Sequence, residues 1–483
     1  MRFSTYSILS ERMKNGGYVL MNTMSGGASV VSDPLGQKIE RFIANRSMEA
    51  ERELVESIGN ETRRSFLDAG HLTEVLPEAE QEIVVNLAMA MHDEMVRRPH
   101  FMIVPNLDCN YRCTYCFERP LQNGLKSTSA DISHQRGNVV MMNAHVDAIY
   151  TAISAIRENI DPSVGRMIIL YGGEPLDKVN KEVVHRIVET GIARGHFFAA
   201  VTNGHDLEHY IDLLGTGKIE QIQISIDGLK DVHDRRRVYV GKESSFDKLV
   251  ENINLALANT DAMIQIRVHV DPTNIAQFEE LVNFFGEQGW LTNDHAVIYA
   301  NTVYEKDASG KIATGLDQMD IVRQISDVCR RSPNIHTSAP AAHTMSIIDP
   351  IFERGARAQL RGSYCSANSA NYIFAPDWSI YSCWESIGKA CSKIGRYGIG
   401  GGLEFDDAAV KKWFNRSIAT LPSCQTCSYA LVCGGGCAQY AEYETGDLYT
   451  SYCDGYQGMF RAALAERSEF FLNQIDKVQD AAD

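Results

Sequence analysis

The sequence lacks the features that would place it in a membrane, outside the cell or on nucleic acid. Residues 1–20 contain no continuous apolar segment followed by a small-residue cleavage site, and no apolar run approaches the length of a membrane span. A net charge of −16 argues against nucleic acid or an anionic membrane as the main partner, because both select for Lys and Arg surfaces. We therefore expect a cytoplasmic protein with neither partner.

Cysteine, by contrast, is abundant. The chain has 12 cysteines, and without a secretion signal such a number favours metal or redox chemistry over structural disulfides. One group lies within residues 109–116 and a second within 365–453, while Cys329 stands alone between them. Cys329 shares a predicted helical face with Ile325 and Val328, so we expect it to be a buried core thiol.

The chain of 483 residues is long enough for about three domains. Residues 1–95 combine a predicted hairpin, "YVLMNT" with "ASVVS", and two predicted helices, "PLGQKIERFIAN" and "ETRRSFLDAGHL". This order predicts a winged-helix-like module. The later boundaries divide the chain into a repeated βα region at 96–310, a bridging region at 311–360, a cysteine-rich domain at 361–460 and a C-terminal helix at 461–483.

The middle region alternates short apolar runs with amphipathic stretches, which predicts an α/β fold. The predicted strands are "FMIVP", "MIILY", "FFAAVT", "QIQISI", "IQIRVHV" and "AVIYA", and the predicted helices include 142–157 and 246–258. Six such units are too few for the usual eight-stranded barrel, so we expect a partial (β/α)6 TIM-type barrel or an open parallel sheet. Ligands of such folds bind beyond the carboxyl ends of the strands.

Three cysteines, Cys109, Cys113 and Cys116, follow the first predicted strand directly. Thiolates bind zinc or iron-sulfur clusters, and a structural zinc site normally closes with four protein ligands. No fourth Cys or His lies between residues 117 and 132. A cubane on three cysteines leaves one iron open to a further ligand. The alternative, three core cysteines on one helix face, is disfavoured by the polar residues among them.

The motif CxxxCxxC with an aromatic residue, Tyr115, before its last cysteine resembles the signature of the radical S-adenosylmethionine (radical SAM) superfamily. The resemblance implies a [4Fe-4S] cluster on these three cysteines that binds SAM. It also implies an oxidoreductase that cleaves SAM reductively, so that a 5′-deoxyadenosyl radical abstracts hydrogen from the substrate. The protein would position both partners and exclude oxygen and bulk water.

Weaker motifs follow in order at strand ends: "YGGEP", "TNG", "SIDG", "HDRRR" and "IRVHVD". The resemblance implies that the residues near the cofactor are Tyr115, Gly172, Gly173, Glu174, Ser225, Arg237 and Arg267, with His233 nearby. Glycine lets backbone approach a ligand, and the carboxylate of Glu174 suits an ammonium. For His233 and the arginines, a solvated charge or a local ion pair is an equal alternative. Asp271 is the candidate general acid or base, because it flanks the expected mouth.

The C-terminal cysteines form the pattern CxxCx5CxxxC followed by Cys453. Part of this pattern is compatible with a zinc ribbon, but the number of cysteines exceeds one tetrahedral site. The pattern resembles the SPASM extension of radical SAM enzymes, which implies two auxiliary iron-sulfur clusters. One would use Cys424, Cys427, Cys433 and Cys453, and the other Cys365, Cys383 and Cys437.

The second set departs from the family pattern. It lacks a cysteine shortly before Cys365, and Trp378 stands where a glycine usually precedes Cys383 by five residues. Either that cluster keeps an open iron or another residue such as Cys391 completes it. An open iron could bind substrate, whereas a closed cluster would serve electron transfer.

The winged-helix-like module of residues 1–95 helps to distinguish the possible functions. Because it resembles the peptide-recognition element of maturases of ribosomally made peptides, we expect a precursor peptide whose leader binds at residues 1–95 as an added strand. The expected reaction is a carbon-carbon or thioether crosslink, with a reductant such as flavodoxin or ferredoxin. A packing or dimerisation role for the module stays open. The alternatives are an anaerobic formylglycine-generating sulfatase maturase, and a zinc or iron-sulfur scaffold or electron-transfer protein without SAM chemistry.

Overall fold

A computed structural model describes most of the chain. It covers residues 1–118, 140–303, 305–306, 312–314, 324–325, 328, 334–336, 344, 347–352, 360–453 and 455–480. Cys329 and its predicted helix face therefore lie outside the described residues. The chain divides into two compact units: residues 1–94, 340–365 and 416–483 form unit 1, and residues 95–339 and 366–415 form unit 2. Within the described residues, every helix is too short or too polar to cross a membrane.

Unit 1 begins with the small sheet that the sequence predicted. Its first elements are β1 (Arg2–Phe3), β2 (Ser7–Leu9), β3 (Tyr18–Asn22), β4 (Ala28–Val31), α1 (Asp33–Ala44), α2 (Met48–Ser57), α3 (Asn60–Asp68), β5 (Leu72–Thr73) and α4 (Pro77–Val96). β2, β3 and β4 form an antiparallel sheet, with Tyr18 opposite Val31. The predicted hairpin and both predicted helices are present, whereas the patterns missed α2 and α4.

The core of unit 1 joins distant parts of the chain. Val19 and Met21 of β3 pack in one cluster with Ile347, Val432 and Phe460, all of them fully buried or nearly so. Residues 1–94 therefore share a core with the C-terminal segments, which differs from the separate N-terminal domain that the sequence predicted. A period-two pattern locates a buried face but does not identify its partner.

Unit 2 contains a mostly parallel sheet. Its elements are β6 (His100–Ile103), β7 (Tyr111–Cys113), α5 (Asn143–Ile156), β8 (Met167–Leu170), α6 (Lys181–Ile192), β9 (Phe197–Thr202), β10 (Ile219–Ser225), α7 (Lys230–Arg236), β11 (Arg237–Tyr239), α8 (Ser245–Asn259), β12 (Met263–Val270), α9 (Phe278–Glu287), β13 (Ala296–Thr302), β14 (Glu305–Lys306), β15 (Ile312–Thr314), β16 (Ile335–His336), β17 (Asn371–Phe374), β18 (Ser379–Tyr381), β19 (Lys393–Tyr397), β20 (Leu403–Phe405) and α10 (Asp407–Phe414). The sheet order is β16-β13-β12-β10-β9-β8-β6-β17-β18-β19-β20. All six predicted parallel strands are present and adjacent.

The other edge of β6 pairs with β17, so the described strands form an open series in which β6 does not meet β13. β17 comes from the region predicted as a separate domain at 361–460. That region divides between the two units, because residues 366–415 extend the sheet of unit 2 and residues from 416 belong to unit 1. The remaining helices of unit 1 are α11 (Pro422–Gln425), α12 (Ala430–Cys433), α13 (Ala438–Thr445) and α14 (Tyr456–Asp480).

Trp378 explains one departure from the family pattern. It lies in the turn between β17 and β18 with φ = 63°, a left-handed conformation that glycine adopts without strain. The indole ring stacks on His145, with ring centroids 3.8 Å apart, and lies 5.2 Å from the ring of Tyr397. The backbone of this position thus has the geometry that favours glycine, while aromatic packing holds a tryptophan in it.

This geometry predicts an unusual order of stability for two substitutions. Trp378→Ala and Trp378→Gly both remove the stacking, but only the alanine keeps a Cβ in the left-handed region, which costs about 1–2 kcal/mol. We expect Trp378→Gly to unfold at a higher temperature than Trp378→Ala, and both below the parent. Anaerobic thermal unfolding followed by circular dichroism measures this order. An alanine variant as stable as the glycine variant would contradict the strain.

Candidate functional site

The three-cysteine loop begins where β6 ends and is held by a second short ladder. Its middle part, β7, pairs antiparallel with β11, which brings Arg237 opposite Cys113. The side chains of Cys109, Cys113 and Cys116 are all half-buried. The last residue of the "HDRRR" run, Arg237, thus begins the strand that pairs with the cysteine loop, a pairing that the sequence pattern did not reveal.

Gly172 and Gly173 pack directly against this loop. A Cβ on Gly173 would lie 2.1 Å from the backbone oxygen of Asp108, and one on Gly172 would lie 2.7 Å from that of Asn106. The backbone N–H of Gly173 donates to the oxygen of Asn106 over 3.0 Å. The glycines therefore allow backbone to approach the cysteine loop, in addition to any approach to a ligand.

Glu174 is buried, and its carboxylate accepts hydrogen bonds from neighbouring protein groups. Its Oε1 accepts from the N–H of Leu176 over 2.8 Å and from the Thr202 hydroxyl, and its Oε2 accepts from the N–H of Asn203 over 2.6 Å. Burial raises the pKa of Glu174 to about 7, although these bonds lower it. Glu174 thus ties "GGE" to "TNG", and its contact with a SAM ammonium stays a prediction.

Asn203 connects the "TNG" turn to the cysteine loop. Its side-chain N–H donates to the Oδ1 of Asn110 over 2.6 Å and lies 3.7 Å from the sulfur of Cys109. The "TNG" motif in the sequence did not predict a contact for Asn203. No sequence signal beyond the motif itself indicated that the amide would reach a sulfur.

Tyr115 lies in a buried network of charged and polar groups. Its hydroxyl donates to Asp227, accepts from Nη1 of Arg237 over 2.7 Å and lies 3.2 Å from Nδ1 of His269. Burial raises the pKa of Asp227, but His269, Arg237 and Arg236 together lower it well below its usual range. Burial lowers the pKa of His269 to about 4. The carboxylate is thus ionised and the imidazole neutral at neutral pH.

Several guanidinium N–H groups in this region have no partner. Nε of Arg237, Nε of Arg267 and Nη2 of Arg236 are buried without a hydrogen-bond acceptor among the described residues. Ser225, 4% exposed, pairs in register with Arg267 at the carboxyl end of β10. Buried donors without acceptors are costly, so these N–H groups fit a ligand carboxylate.

The two remaining predicted residues have structural contacts. His233 is fully buried, and its Nδ1 accepts from the N–H of Asp227 over 3.3 Å. Asp271 accepts from Arg236 through Oδ2 and from the N–H and hydroxyl of Thr273 through Oδ1. These bonds give Asp271 a structural role, and its acid-base role stays a prediction. Nε2 of His233 is buried without a hydrogen-bond partner among the described residues.

The loop cysteines fit an iron-sulfur cluster by their chemistry. Burial raises the pKa of Cys116 to about 12 and that of Cys113 above its usual value, while Arg237 lowers the pKa of Cys113. Thiols in such surroundings lose their protons when a metal binds. Among the described residues, no group of three His, Cys, Asp or Glu side chains could hold a single metal ion. Since a cubane is larger than one ion, its ligands stand further apart than those of zinc.

Four C-terminal cysteines of unit 1 line one small cavity. They are Cys424, Cys427, Cys433 and Cys453, the set that the sequence assigned to one auxiliary cluster. Of the second set, Cys365 and Cys437 are half-buried in unit 1 and Cys383 is buried in unit 2. Cys391 is exposed.

Comparison with known proteins agrees with these motifs. The sequence profile described as "Radical SAM superfamily" matches residues 103–285. A cysteine-type anaerobic sulfatase-maturating enzyme of Clostridium novyi (strain NT) is 18% identical over 371 residues, which is 74% of this chain and 93% of that protein. An S-adenosylmethionine-dependent nucleotide dehydratase of Psychrobacter lutiphocae is 23% identical over 186 residues, 37% of this chain and 57% of that protein.

Solved structures share the fold. Native anSMEcpe with bound AdoMet aligns with a TM-score of 0.56 at 16% identity and covers 78% of this chain and 100% of its own. Streptococcus suis SuiB bound to the precursor peptide SuiA aligns with a TM-score of 0.50 at 15% identity and covers 93% of this chain and 98% of its own. A domain of this family implies a [4Fe-4S] cluster and SAM. The motif, its position after β6 and the matching profile together show a radical SAM domain over residues 103–285 of this chain.

Proposed function

We propose that this protein is a radical SAM maturase of a ribosomally made precursor peptide, in which it installs a carbon-carbon or thioether crosslink. The observation that carries this proposal is the antiparallel sheet of residues 7–31, followed by three helices, ahead of a radical SAM domain. The alignment with SuiB, whose structure is described as bound to a precursor peptide, extends over 93% of this chain. We propose that a leader binds at this N-terminal part.

The proposed leader site is the outer edge of β4. This strand pairs with β3 on one side and with no other strand among the described residues. The N–H of Asn22 donates to the oxygen of Gly27, and antiparallel pairs alternate, so Val30 occupies a non-hydrogen-bonded position opposite Val19. Its N–H thus points away from β3, and its side chain is 54% exposed. An added strand would use such edge groups.

The residues around the cysteine loop would position the cofactor and substrate. Cys109, Cys113 and Cys116 would hold the [4Fe-4S] cluster, which together with bound SAM supplies the 5′-deoxyadenosyl radical that removes hydrogen from the substrate. The buried N–H groups of Arg237 and Arg267 are available to a carboxylate of SAM or of the peptide. Tyr115 and Asp227 orient Arg237.

We also propose two auxiliary clusters and a flavodoxin or ferredoxin as the reductant. The convergence of four cysteines on one cavity supports the first cluster. The ligands of the second are Cys365, Cys383 and Cys437, and its fourth ligand stays open. The auxiliary clusters would provide an acceptor for the second electron that a crosslink releases, while its proton goes to solvent.

Anaerobic sulfatase maturation is a second candidate. The Clostridium novyi relative spans 93% of its own length in this alignment, and its name describes that activity. Mass spectrometry of products separates the two, because a crosslink removes a hydrogen pair and joins two residues, whereas formylglycine formation replaces a cysteine side chain. The first substrates to test are the product of any short open reading frame found beside the gene and a sulfatase peptide.

The assignment of the loop cysteines predicts a selective loss. Cys113→Ala should abolish reductive SAM cleavage, with at least a hundredfold less 5′-deoxyadenosine by chromatography, because two thiolates cannot hold the cubane firmly. Cys391→Ala, at an exposed cysteine outside the loop, is the matched control. It should retain the parent rate of SAM cleavage even where Cys391 completes an auxiliary cluster, because SAM binds at the loop cluster. Unchanged 5′-deoxyadenosine from the Cys113 variant would defeat the assignment.

The proposed edge site predicts a backbone effect. Val30→Pro removes the outward N–H without breaking a bond to β3, so it should weaken binding of the leader peptide at least tenfold while SAM cleavage without peptide persists. Val30→Ala keeps the N–H and should bind within about threefold of the parent. Fluorescence anisotropy with the labelled leader of the neighbouring precursor measures both affinities. Equal binding by the proline variant would exclude this edge.

A further inference from the structure

Arg416 of unit 1 is a fully buried cation that no carboxylate neutralises among the described residues. Its exposed fraction is 0%. The guanidinium donates to backbone oxygens only: Nε to Leu448 over 2.6 Å, Nη1 to Gly436 over 2.9 Å, and Nη2 to Gly435 over 3.1 Å and to Thr450 over 2.9 Å. These carbonyls satisfy its hydrogen bonds but leave its charge unbalanced.

Two of the four carbonyls, those of Gly435 and Gly436, belong to a turn whose backbone conformation favours glycine. Gly434, Gly435 and Gly436 all have positive φ, at 80°, 91° and 72°. A Cβ on Gly436 would lie 1.8 Å from the backbone oxygen of Tyr452. This turn connects Cys433 to Cys437, so the groups that hold Arg416 also separate two predicted cluster ligands.

The sulfur of Cys424 lies on the same side of the glycine turn as this guanidinium. A Cβ on Gly435 would lie 3.8 Å from the sulfur of Cys424 and 3.9 Å from Nη1 of Arg416, which places both next to the same glycine. Burial lowers the pKa of Arg416, and negative charge on nearby cysteines raises it. Those cysteines belong to both predicted auxiliary sets: Cys437, Cys365, Cys424 and Cys433.

The charge state of these cysteines depends on metal. An isolated charge in a protein interior is costly, whereas metal-bound cysteines are thiolates that would balance it. The buried cation beside these cysteines therefore fits a set of metal-bound thiolates.

We propose that Arg416 is a positioning residue that balances the charge of the auxiliary clusters and raises their reduction potentials. The inference rests on the proposed function, in which these cysteines bind such clusters. A fixed positive charge favours the more negative, reduced state of a nearby cluster, and net charge is one of the factors that set cluster potentials. The alternative is a purely structural role, in which Arg416 only ties the glycine turn to residues 448–450.

Two substitutions separate charge from hydrogen bonding. Arg416→Gln removes the charge and keeps polar hydrogen-bonding groups, while Arg416→Lys keeps the charge and loses the planar fork of donors. Arg467→Gln is the matched control. Arg467 also lies in unit 1, but it already has a carboxylate partner, Asp349, at 2.7 and 2.8 Å.

The experiment is a redox titration of the auxiliary clusters followed by electron paramagnetic resonance. It uses the full chain with Cys109, Cys113 and Cys116 changed to Ala, so that the SAM cluster does not contribute. We expect Arg416→Gln to lower the reduced-to-oxidised ratio at a fixed potential at least tenfold, which is ~59 mV for a one-electron couple. Arg416→Lys and Arg467→Gln should stay within threefold of the parent.

The outcomes are distinguishable. Parent protein without auxiliary iron would overturn the proposed clusters and this inference together. Parent protein with clusters whose potentials do not change in Arg416→Gln would overturn the role of Arg416 alone. If Arg416→Gln takes up no iron, the Arg416→Lys variant distinguishes the two roles. Normal iron content and normal reduction potentials in Arg416→Lys would support the role of the positive charge. Loss of iron in Arg416→Lys as well would assign Arg416 to the structural role and overturn the proposal.

Discussion

The site depends on holding three cysteine side chains of one short loop at fixed positions beyond the end of β6. Two features provide this constraint. The β7–β11 ladder fixes the middle of the loop, with Arg237 opposite Cys113, and the close approach of Gly173 to Asp108 fixes its beginning. Both act through backbone, so neither of these two constraints uses the sulfurs. The thiolates thus remain available to a metal cluster.

Both units contain buried charged side chains. In unit 2, ionised Asp227 is surrounded by Arg236, Arg237 and His269, and the arginines keep N–H groups directed at no protein acceptor among the described residues. In unit 1, Arg416 is held by neutral carbonyls beside cysteines. Buried charged groups without a full set of partners are uncommon in proteins, because transferring an ion from water to the interior costs several kcal/mol. Both arrangements fit sites that a ligand or cluster completes.

Much of unit 2 could be predicted from sequence, because parallel strands buried on both faces are continuous apolar runs and the motifs lie at their ends. The grouping of the three loop cysteines follows from their spacing in the sequence, and the cluster on them stays a prediction. The pairings between distant parts of the chain could not be predicted from the sequence. Nothing in "HDRRR" indicates a ladder with the cysteine loop, and nothing in "GGEP" indicates that Glu174 accepts from Thr202 and Asn203. Likewise, the division of residues 361–460 between two units follows from β17 pairing with β6, which apolar pattern does not encode.

The central claim is that a cluster on Cys109, Cys113 and Cys116 keeps one iron open for SAM. Electron-nuclear double resonance on the anaerobically reconstituted, reduced protein with SAM labelled isotopically at its amino and carboxylate groups measures this directly. The account predicts hyperfine coupling of both labels to the cluster. A cluster without coupling to either label, closed instead by a fourth protein side chain, would contradict it.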